Sequence, residues 1–471
     1  MQDETIFWYD LETFGLHSQY DRIAQFAGLR TDTNLNIIGE PIILYCKITD
    51  DYLPDPLACL VTGITPQTTL QKGIPENDFI QRINEEFSKP GTCVTGYNNI
   101  KFDDEFIRNA LYRNFYDPYL REYAQGNTRW DIMDMVRAAH DLRPDGIQWP
   151  RNDEGRPSFR LEALTEANGI HHTDAHDALA DVYATLEIAK LIRTKQPELY
   201  AYAFSHRKKS ALKEKINLYQ HKPILHTSSV HTSEYGCTAL VLPLAVNPNN
   251  SNSIICYNLS YDPEALITAN AEELLSNEIK LTRISLNKSP FIAPAGTLTE
   301  ENAKRLNINK ELCMEHFARI EERPDISMKL RAAFDRQKPE TVSDPDFRIY
   351  TGGFFSDEDR ERFQIIHKTP AKELLSLRLN FNDTRIPEML WRYTARNFPH
   401  LLTEEERLRW KSFAASRILF PPADVIINLQ FFKRKIAEKS ESTDISAKDK
   451  IILRDLADYA EILEKKLFHE Q

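Results

Sequence analysis

The sequence predicts a mixed α/β fold built from about three domains. With 471 residues the chain is too long for one ordinary core. Its first part alternates short apolar runs with amphipathic helical patterns, whereas its last part is dominated by helical patterns. Hydrophobic residues make up 41% of the chain and charged residues 27%, a balance typical of globular proteins. We place the three domains at residues 1–195, 196–343 and 344–471.

The first domain is predicted to start with three strands and to continue with helices around a fourth strand. The strands are apolar or aromatic runs separated by turn-forming stretches. Pro75 introduces the first helix, and Thr173 or Asp174 is the expected cap of a long later helix. The predicted strands are Ile6–Tyr9, Ala24–Arg30, Ile42–Ile48 and Thr92–Tyr97, and the predicted helices are Glu76–Ser88, Asp103–Asn114 and Ala175–Thr194.

The pattern changes after residue 197. Basic residues dominate positions 205–222, and β-type runs follow at Thr238–Leu244 and Ser253–Leu259. A basic linker or helix should therefore lead into a strand-containing second domain. The third region is predicted to be helical, with helices at Glu404–Leu419, Asp424–Lys439 and Ala447–Phe468.

Cysteine usage and the apolar segments predict a reducing, cytoplasmic environment. The six cysteines form no C-x-x-C pair, which argues against zinc and against a disulfide framework. The N-terminus lacks the basic start of a secretory signal, and no apolar run reaches about 18 residues, so no membrane span is expected. The net charge of −11 counts against a nucleic-acid partner, but a local basic groove can coexist with an acidic whole.

Three acidic motifs are the strongest functional signal in the sequence. In the first strand, residues two apart point to the same side, so Asp10 and Glu12 present two carboxylates from one face. In the second motif, Asp103 follows a strand and a polar turn, and Asp104 competes with it as ligand or helix cap. In the third, His176 stands five residues before Asp181. Alone, the first and third motifs would more often be structural and the second is ambiguous, but the three together indicate a common site.

Four converging carboxylates require cations, and hard oxygen ligands select Mg²⁺ or Mn²⁺. Two such ions about 3.5 to 4 Å apart can hold an attacking water and a leaving 3′-oxygen on either side of one phosphorus. A nearby histidine such as His176 can accept the proton of the water. The motifs therefore predict metal-dependent phosphodiester hydrolysis.

These motifs resemble the DEDD exonucleases, in the variant (DEDDh) whose last motif is His-x4-Asp. Longer segments are similar to the bacterial exonuclease I family, and the similarity covers nearly the whole chain. They include Tyr-Asp-x-Glu-Thr-Phe-Gly, Gly-Tyr-Asn-Asn-x-x-Phe-Asp-Asp-Glu, Tyr-Arg-Asn-Phe-Tyr-Asp-Pro-Tyr, Pro-Ser-Phe-Arg-Leu-Glu and Ala-Arg-Asn-Phe-Pro. The resemblance implies a ribonuclease-H-like exonuclease domain, an SH3-like middle domain and a helical C-terminal domain closing around single-stranded DNA.

The resemblance also implies an activity and a set of site residues. The enzyme would remove nucleotides from the 3′ end of single-stranded DNA and release 5′-mononucleotides. Two Mg²⁺ ions, replaceable by Mn²⁺, would be bound by Asp10, Glu12, Asp103 and Asp181, with His176 as general base and Glu12 also touching substrate. Arg160 would contact a phosphate near the scissile bond, although the alternative of a surface pair with Glu162 stays open.

The expected DNA path combines phosphate partners with flat faces for base stacking. The candidate contacts are Arg108, Tyr119, Tyr123, Arg137, Lys209, Asn252 and Asn287. The sequence departs from the family where a Trp-Ser-Trp segment is common, since it reads Leu120-Arg121-Glu122-Tyr123. Stacking in that part of the path is therefore expected to differ.

The resemblance further implies a protein of the bacterial cytosol or nucleoid that acts in DNA repair or recombination and is recruited by single-stranded DNA-binding protein. We expect a monomer. Two alternatives stay open. A proofreading or RNA-trimming exonuclease would share the carboxylates. A non-catalytic nucleic-acid-binding protein would have lost a carboxylate or the histidine, and all five residues are present.

Overall fold

A computed structural model describes residues 4–172, 177–216, 218, 222–276, 278–335, 342–421, 425, 427–442 and 445–468. Within these ranges the architecture is mixed α/β, as predicted, with two sheets and a helical C-terminal region. No helix in the described ranges is both long and apolar enough to span a bilayer.

The first domain is built on a mixed β-sheet. Its strands are β1 (Thr5–Thr13), β2 (Ile23–Asp32), β3 (Ile37–Tyr45), β4 (Thr92–Gly96) and β5 (Thr128–Asp131). Their order in the described sheet is β3-β2-β1-β4-β5. β1 pairs antiparallel with β2, to which the loop of residues 14–22 joins it, and parallel with β4, from which helices separate it. β1 is therefore an inner strand.

Helices cover both faces of this sheet. Alternate residues of β1 enter two different cores, with Ile6 and Trp8 on one side and Phe7 and Tyr9 on the other. A strand buried on both faces reads as a continuous apolar run, which is why β1 was predictable. The helices are α1 (Pro56–Thr62), α2 (Pro66–Lys72), α3 (Glu76–Phe87), α4 (Asp103–Arg113), α5 (Ile132–Leu142), α6 (Leu161–Ala167) and α7 (Ala178–Lys195).

Two predictions in this domain need correction. β3 spans Ile37–Tyr45 rather than Ile42–Ile48, because it is a largely exposed edge strand whose apolar residues do not mark its ends. Helix α7 begins at Ala178, and its cap is Asp177, whose side chain accepts hydrogen bonds from the backbone of the first turn. The predicted caps Thr173 and Asp174 lie outside the described residues.

The second domain contains an antiparallel sheet with helices around it. Strand order in the described sheet is β10-β6-β7-β8-β9, where β6 is Ile224–Thr227, β7 Thr238–Val246, β8 Ser253–Asn258, β9 Leu281–Ser285 and β10 Phe291–Pro294. Within the basic stretch predicted before this sheet, residues Lys209–Lys215 form a short helix, α9. The helices are α8 (Pro197–Ser205), α9 (Lys209–Lys215), α10 (Glu264–Thr268), α11 (Glu300–Arg305), α12 (Lys310–Glu321) and α13 (Asp325–Asp335).

The C-terminal region is helical, as predicted. Its helices are α14 (Asp357–Lys368), α15 (Ile386–Asn397), α16 (Glu404–Leu419), α17 (Leu429–Ser440) and α18 (Ala447–Phe468). α16 and α18 have the predicted bounds. α17 starts later than the predicted Asp424, because the Asn428 side chain caps it by accepting from the backbone N–H of Phe431.

The C-terminal region shares a core and buried charges with the first domain. Phe14 and Tyr52 pack in one apolar cluster with residues of α15 to α18. The Arg396 guanidinium lies 2.8 Å from a carboxylate oxygen of Asp51 and 2.5 Å from one of Asp346, and all three side chains are buried. The two regions are therefore joined by both apolar packing and ion pairs.

Candidate metal centre and nucleic-acid cleft

Three of the predicted metal ligands meet at the end of β1. Asp10 and Glu12 lie two residues apart on this strand, and Asp181 lies in the first turn of α7, which packs against β1. One carboxylate oxygen from each of the three residues lies within 4.8 Å of the others. The structure therefore brings the first and third motifs together.

The electrostatics of this group fit a divalent cation. Burial, together with the neighbouring carboxylates of Asp10 and Asp181, raises the pKa of Glu12 from 4.5 to about 9. Burial also raises the pKa of Asp10, and the charges of Asp103 and Asp181 act in the same direction. Oxygen-only donors in this arrangement suit Mg²⁺ or Mn²⁺, whose charge would offset the repulsion.

The structure distinguishes Asp103 from Asp104. The Asp104 carboxylate accepts hydrogen bonds from Arg121 at 2.7 Å, Arg129 at 2.6 Å and the Tyr9 hydroxyl at 2.7 Å. Burial alone would raise its pKa, but the two guanidinium groups hold it well below the ordinary range. Asp104 is thus engaged in structural ion pairs.

Asp103 lies beside the three-carboxylate group and is buried at the start of α4. Burial and the charge of Asp104 raise its pKa, and it is the strongest charged influence on Asp10. Asp103 is therefore the better candidate for the fourth ligand, although it is not one of the three residues whose oxygens lie within 4.8 Å.

The predicted general base His176 lies outside the described residues. A different histidine contacts the group: His172 Nε2 is 2.5 Å from Asp181 Oδ1, and its side chain is only 4% exposed. The sequence analysis missed His172. Three histidines within six residues were a signal, but their spacing does not say which of them faces Asp181.

Arg160 directly precedes helix α6. Its side chain is 77% exposed, and its Nε lies 3.6 Å from a carboxylate oxygen of Glu162, so the alternative surface pair is present. The preceding residue is held firmly, because the Tyr97 hydroxyl donates to the Phe159 carbonyl at 2.6 Å. A phosphate contact by Arg160 stays a prediction.

A cleft of about 1120 Å³ lies where the three regions of the chain meet. Its walls include seven basic residues and three acidic ones, so it is locally basic within an acidic chain. Helix α4 connects it to the candidate metal centre, since Glu105 and Arg108 line the cleft and Asp103 starts the same helix. The lysines and arginines are Arg108, Arg129, Arg207, Lys208, Lys209, Lys288 and Arg360.

Six of the seven predicted DNA-contact residues line this cleft: Arg108, Tyr119, Tyr123, Lys209, Asn252 and Asn287. Arg137 is not among its lining residues. It is buried on α5, where it pairs with Asp134 at 2.5 Å and lies over the ring of Phe159. A DNA contact by Arg137 therefore stays a prediction.

Aromatic side chains from two regions face each other across the cleft. Tyr123 is 65% exposed, and the ring of Tyr119 meets Phe354 edge to face with centroids 6.0 Å apart. Phe354 itself is 79% exposed and comes from the C-terminal region. The sequence analysis did not name Phe354 as a contact.

Family comparisons agree with this architecture. Residues 7–189 match the exonuclease family, residues 207–336 the exonuclease I SH3-like domain and residues 343–463 the exonuclease I C-terminal domain. With the carboxylate group on β1 and α7, the fold defines an exonuclease.

Relatives of known identity narrow the class. Exodeoxyribonuclease I of Escherichia coli is 45% identical over 422 residues, which cover 87% of this chain and 89% of the relative. The Haemophilus influenzae enzyme is 41% identical, covering 94% of this chain and 97% of the relative. The chain belongs to the exonuclease I family.

Solved structures of this family have the same fold. E. coli exonuclease I in complex with a dA16 oligonucleotide is 42% identical, with a TM-score of 0.93 over 98% of this chain and 100% of that chain. Similar structures include a zinc-bound complex of the E. coli enzyme with single-stranded DNA, at 41% identity and a TM-score of 0.92 over 98% of this chain and 100% of that chain. Another is a structure of SSB and exonuclease I with an inhibitor, at 42% identity and a TM-score of 0.91 over the same shares.

Proposed function

We propose that this enzyme removes nucleotides one at a time from the 3′ end of single-stranded DNA and releases 5′-mononucleotides. The observation that carries the proposal is the three-carboxylate group within 4.8 Å, connected through α4 to a basic cleft lined with aromatic residues. The bound oligonucleotide in the E. coli structure supports DNA as the substrate class.

The proposed mechanism assigns each residue a role. Two Mg²⁺ ions would be held by Asp10, Glu12, Asp103 and Asp181, and Mn²⁺ is the expected substitute. When bound, such cations lower the pKa of the attacking water and stabilise charge on the leaving 3′-oxygen. His176 accepts the proton of the water, and Arg160 contacts the scissile phosphate. The zinc-bound E. coli structure supports divalent-cation binding by the family.

The cleft would guide the strand towards this centre. Its lysines and arginines suit the phosphates, while Tyr119, Tyr123 and Phe354 offer faces on which bases of any sequence can stack. The structure that contains SSB supports single-stranded DNA-binding protein as a partner. A role in DNA repair or recombination, a monomeric state, a cytosolic location and domain boundaries at 195/196 and 343/344 belong to the same proposal.

A labelled-strand assay tests the proposal. Single-stranded DNA labelled at its 5′ end is incubated with Mg²⁺ and wild-type protein, His176→Ala or the control His171→Ala, which changes an exposed histidine. We expect progressive shortening from the 3′ end, abolished by EDTA, unchanged in the control and slowed about 10²- to 10⁴-fold by loss of the general base. Binding without shortening would favour the non-catalytic alternative, and equal digestion of RNA would favour an RNA-trimming enzyme.

A further inference from the structure

His172 contacts residues of two helices of the first domain. His172 Nε2 lies 2.5 Å from Asp181 Oδ1, and Nδ1 lies 3.4 Å from the hydroxyl of Thr165 on α6. Thr165 is buried, and its hydroxyl also contacts the backbone carbonyls of Leu161 and Glu162. The imidazole therefore bridges α6 to the first turn of α7.

This arrangement limits the positions that the Asp181 carboxylate can adopt. A carboxylate on the first turn of a helix can rotate, but a hydrogen bond from a buried ring fixes one of its oxygens. The group made by Asp10, Glu12 and Asp181 has like charges close together, which would otherwise push the side chains apart. A side chain that hydrogen-bonds to a metal-ligating carboxylate commonly holds that carboxylate in the geometry that the cation needs.

We propose that His172 is a positioning residue that holds Asp181 in the geometry required for cation binding. The proposal rests on the proposed role of Asp181 as a metal ligand. His172 does not itself belong to the three-carboxylate group, so its effect acts through Asp181. Loss of the ring nitrogen should weaken cation binding without changing the DNA cleft.

Calorimetric titration of Mn²⁺ into the full chain, without DNA, tests this directly. His172→Phe keeps a ring of similar size but cannot donate, His172→Gln keeps a donor, and His171→Ala is the control on an exposed neighbour. We expect Mn²⁺ to bind His172→Phe about tenfold more weakly than wild-type, and the other two variants within about threefold. The Mn²⁺ concentration for half-maximal nuclease activity should rise by the same factor in His172→Phe.

The outcomes separate this proposal from the proposed function. The positioning role is overturned if His172→Phe binds Mn²⁺ with wild-type affinity. It is also overturned if His172→Phe and His172→Gln lose Mn²⁺ affinity equally, because that result would indicate packing rather than hydrogen bonding. If wild-type protein binds no Mn²⁺ and degrades no DNA, the proposed function itself fails. If wild-type is active and only His172→Phe needs more Mn²⁺, both stand.

Discussion

Replacing Asp104 with asparagine should destabilise the first domain strongly, whereas the same change at its neighbour Asp103 should not. Asp104 compensates the charges of Arg121 and Arg129, both of which are buried. Asparagine is nearly the same size, so the change removes charge with little effect on volume. The pair of variants therefore isolates the ion pairs from packing.

The magnitude follows from what remains after the substitution. Arg129 still has Glu122 as an ion-pair partner at 3.1 Å, whereas the distance from Arg121 to Glu122 is 4.0 Å. The loss is thus closer to one broken buried ion pair than to two. Breaking one such pair costs about 3–5 kcal/mol. In contrast, burial and like charge raise the pKa of Asp103, so neutralising it in metal-free protein should be neutral or stabilising.

Thermal unfolding in EDTA measures the difference. For a domain of this size, about 3–5 kcal/mol lowers the midpoint of the transition on the order of 10 °C. We expect that shift for Asp104→Asn, no decrease for Asp103→Asn, and loss of nuclease activity in Asp103→Asn despite its stability. A midpoint within about 2 °C of wild-type for Asp104→Asn, or equal destabilisation by both changes, would refute the reasoning.

Two further predictions concern the cleft and the pH dependence of stability. Phe354→Ala should raise the KM for single-stranded DNA about tenfold with little change in kcat, because one stacked base contributes about 1–3 kcal/mol; an unchanged KM in steady-state assays would contradict stacking on Phe354. Burial alone would raise the pKa of Glu76, but Arg113 and Arg22 hold it at about 2, below the ordinary 4.5. Its contribution to stability is therefore fully present above pH 4.5 and is lost as the pH falls towards 2, about 3 kcal/mol in all. Urea unfolding of wild-type and Glu76→Gln between pH 3 and 6 measures this contribution. The difference between their free energies of unfolding should narrow below about pH 4.5, and a constant difference would argue against this account.

Elements with a complete local pattern were predictable from the sequence. The inner strand β1 is buried on both faces, and α16 and α18 carry long amphipathic patterns, so their positions could be read from periodicity. The edge strand β3 and the start of α17 were misplaced. Exposure removes the apolar pattern from β3, and the start of α17 depends on a single capping side chain.

The site was predictable only where the backbone alone sets the geometry. Asp10 and Glu12 share a face because strand periodicity is two, whatever surrounds them. The choice between Asp103 and Asp104 depends on Arg121 and Arg129, which reach Asp104 through the tertiary fold. The His172 contact likewise depends on the tertiary fold, which packs α6 against α7.

The core shared between Phe14, Tyr52 and helices α15 to α18 bears on how this architecture can be divided. The third family match begins at residue 343, which suggests that the C-terminal region could be removed as a separate domain. Cutting the chain there would leave Phe14 and Tyr52 facing water and Asp51 without Arg396. The C-terminal region is therefore a separate family match but not a separate folding unit, and a shortened enzyme would need a redesigned surface before it could be soluble.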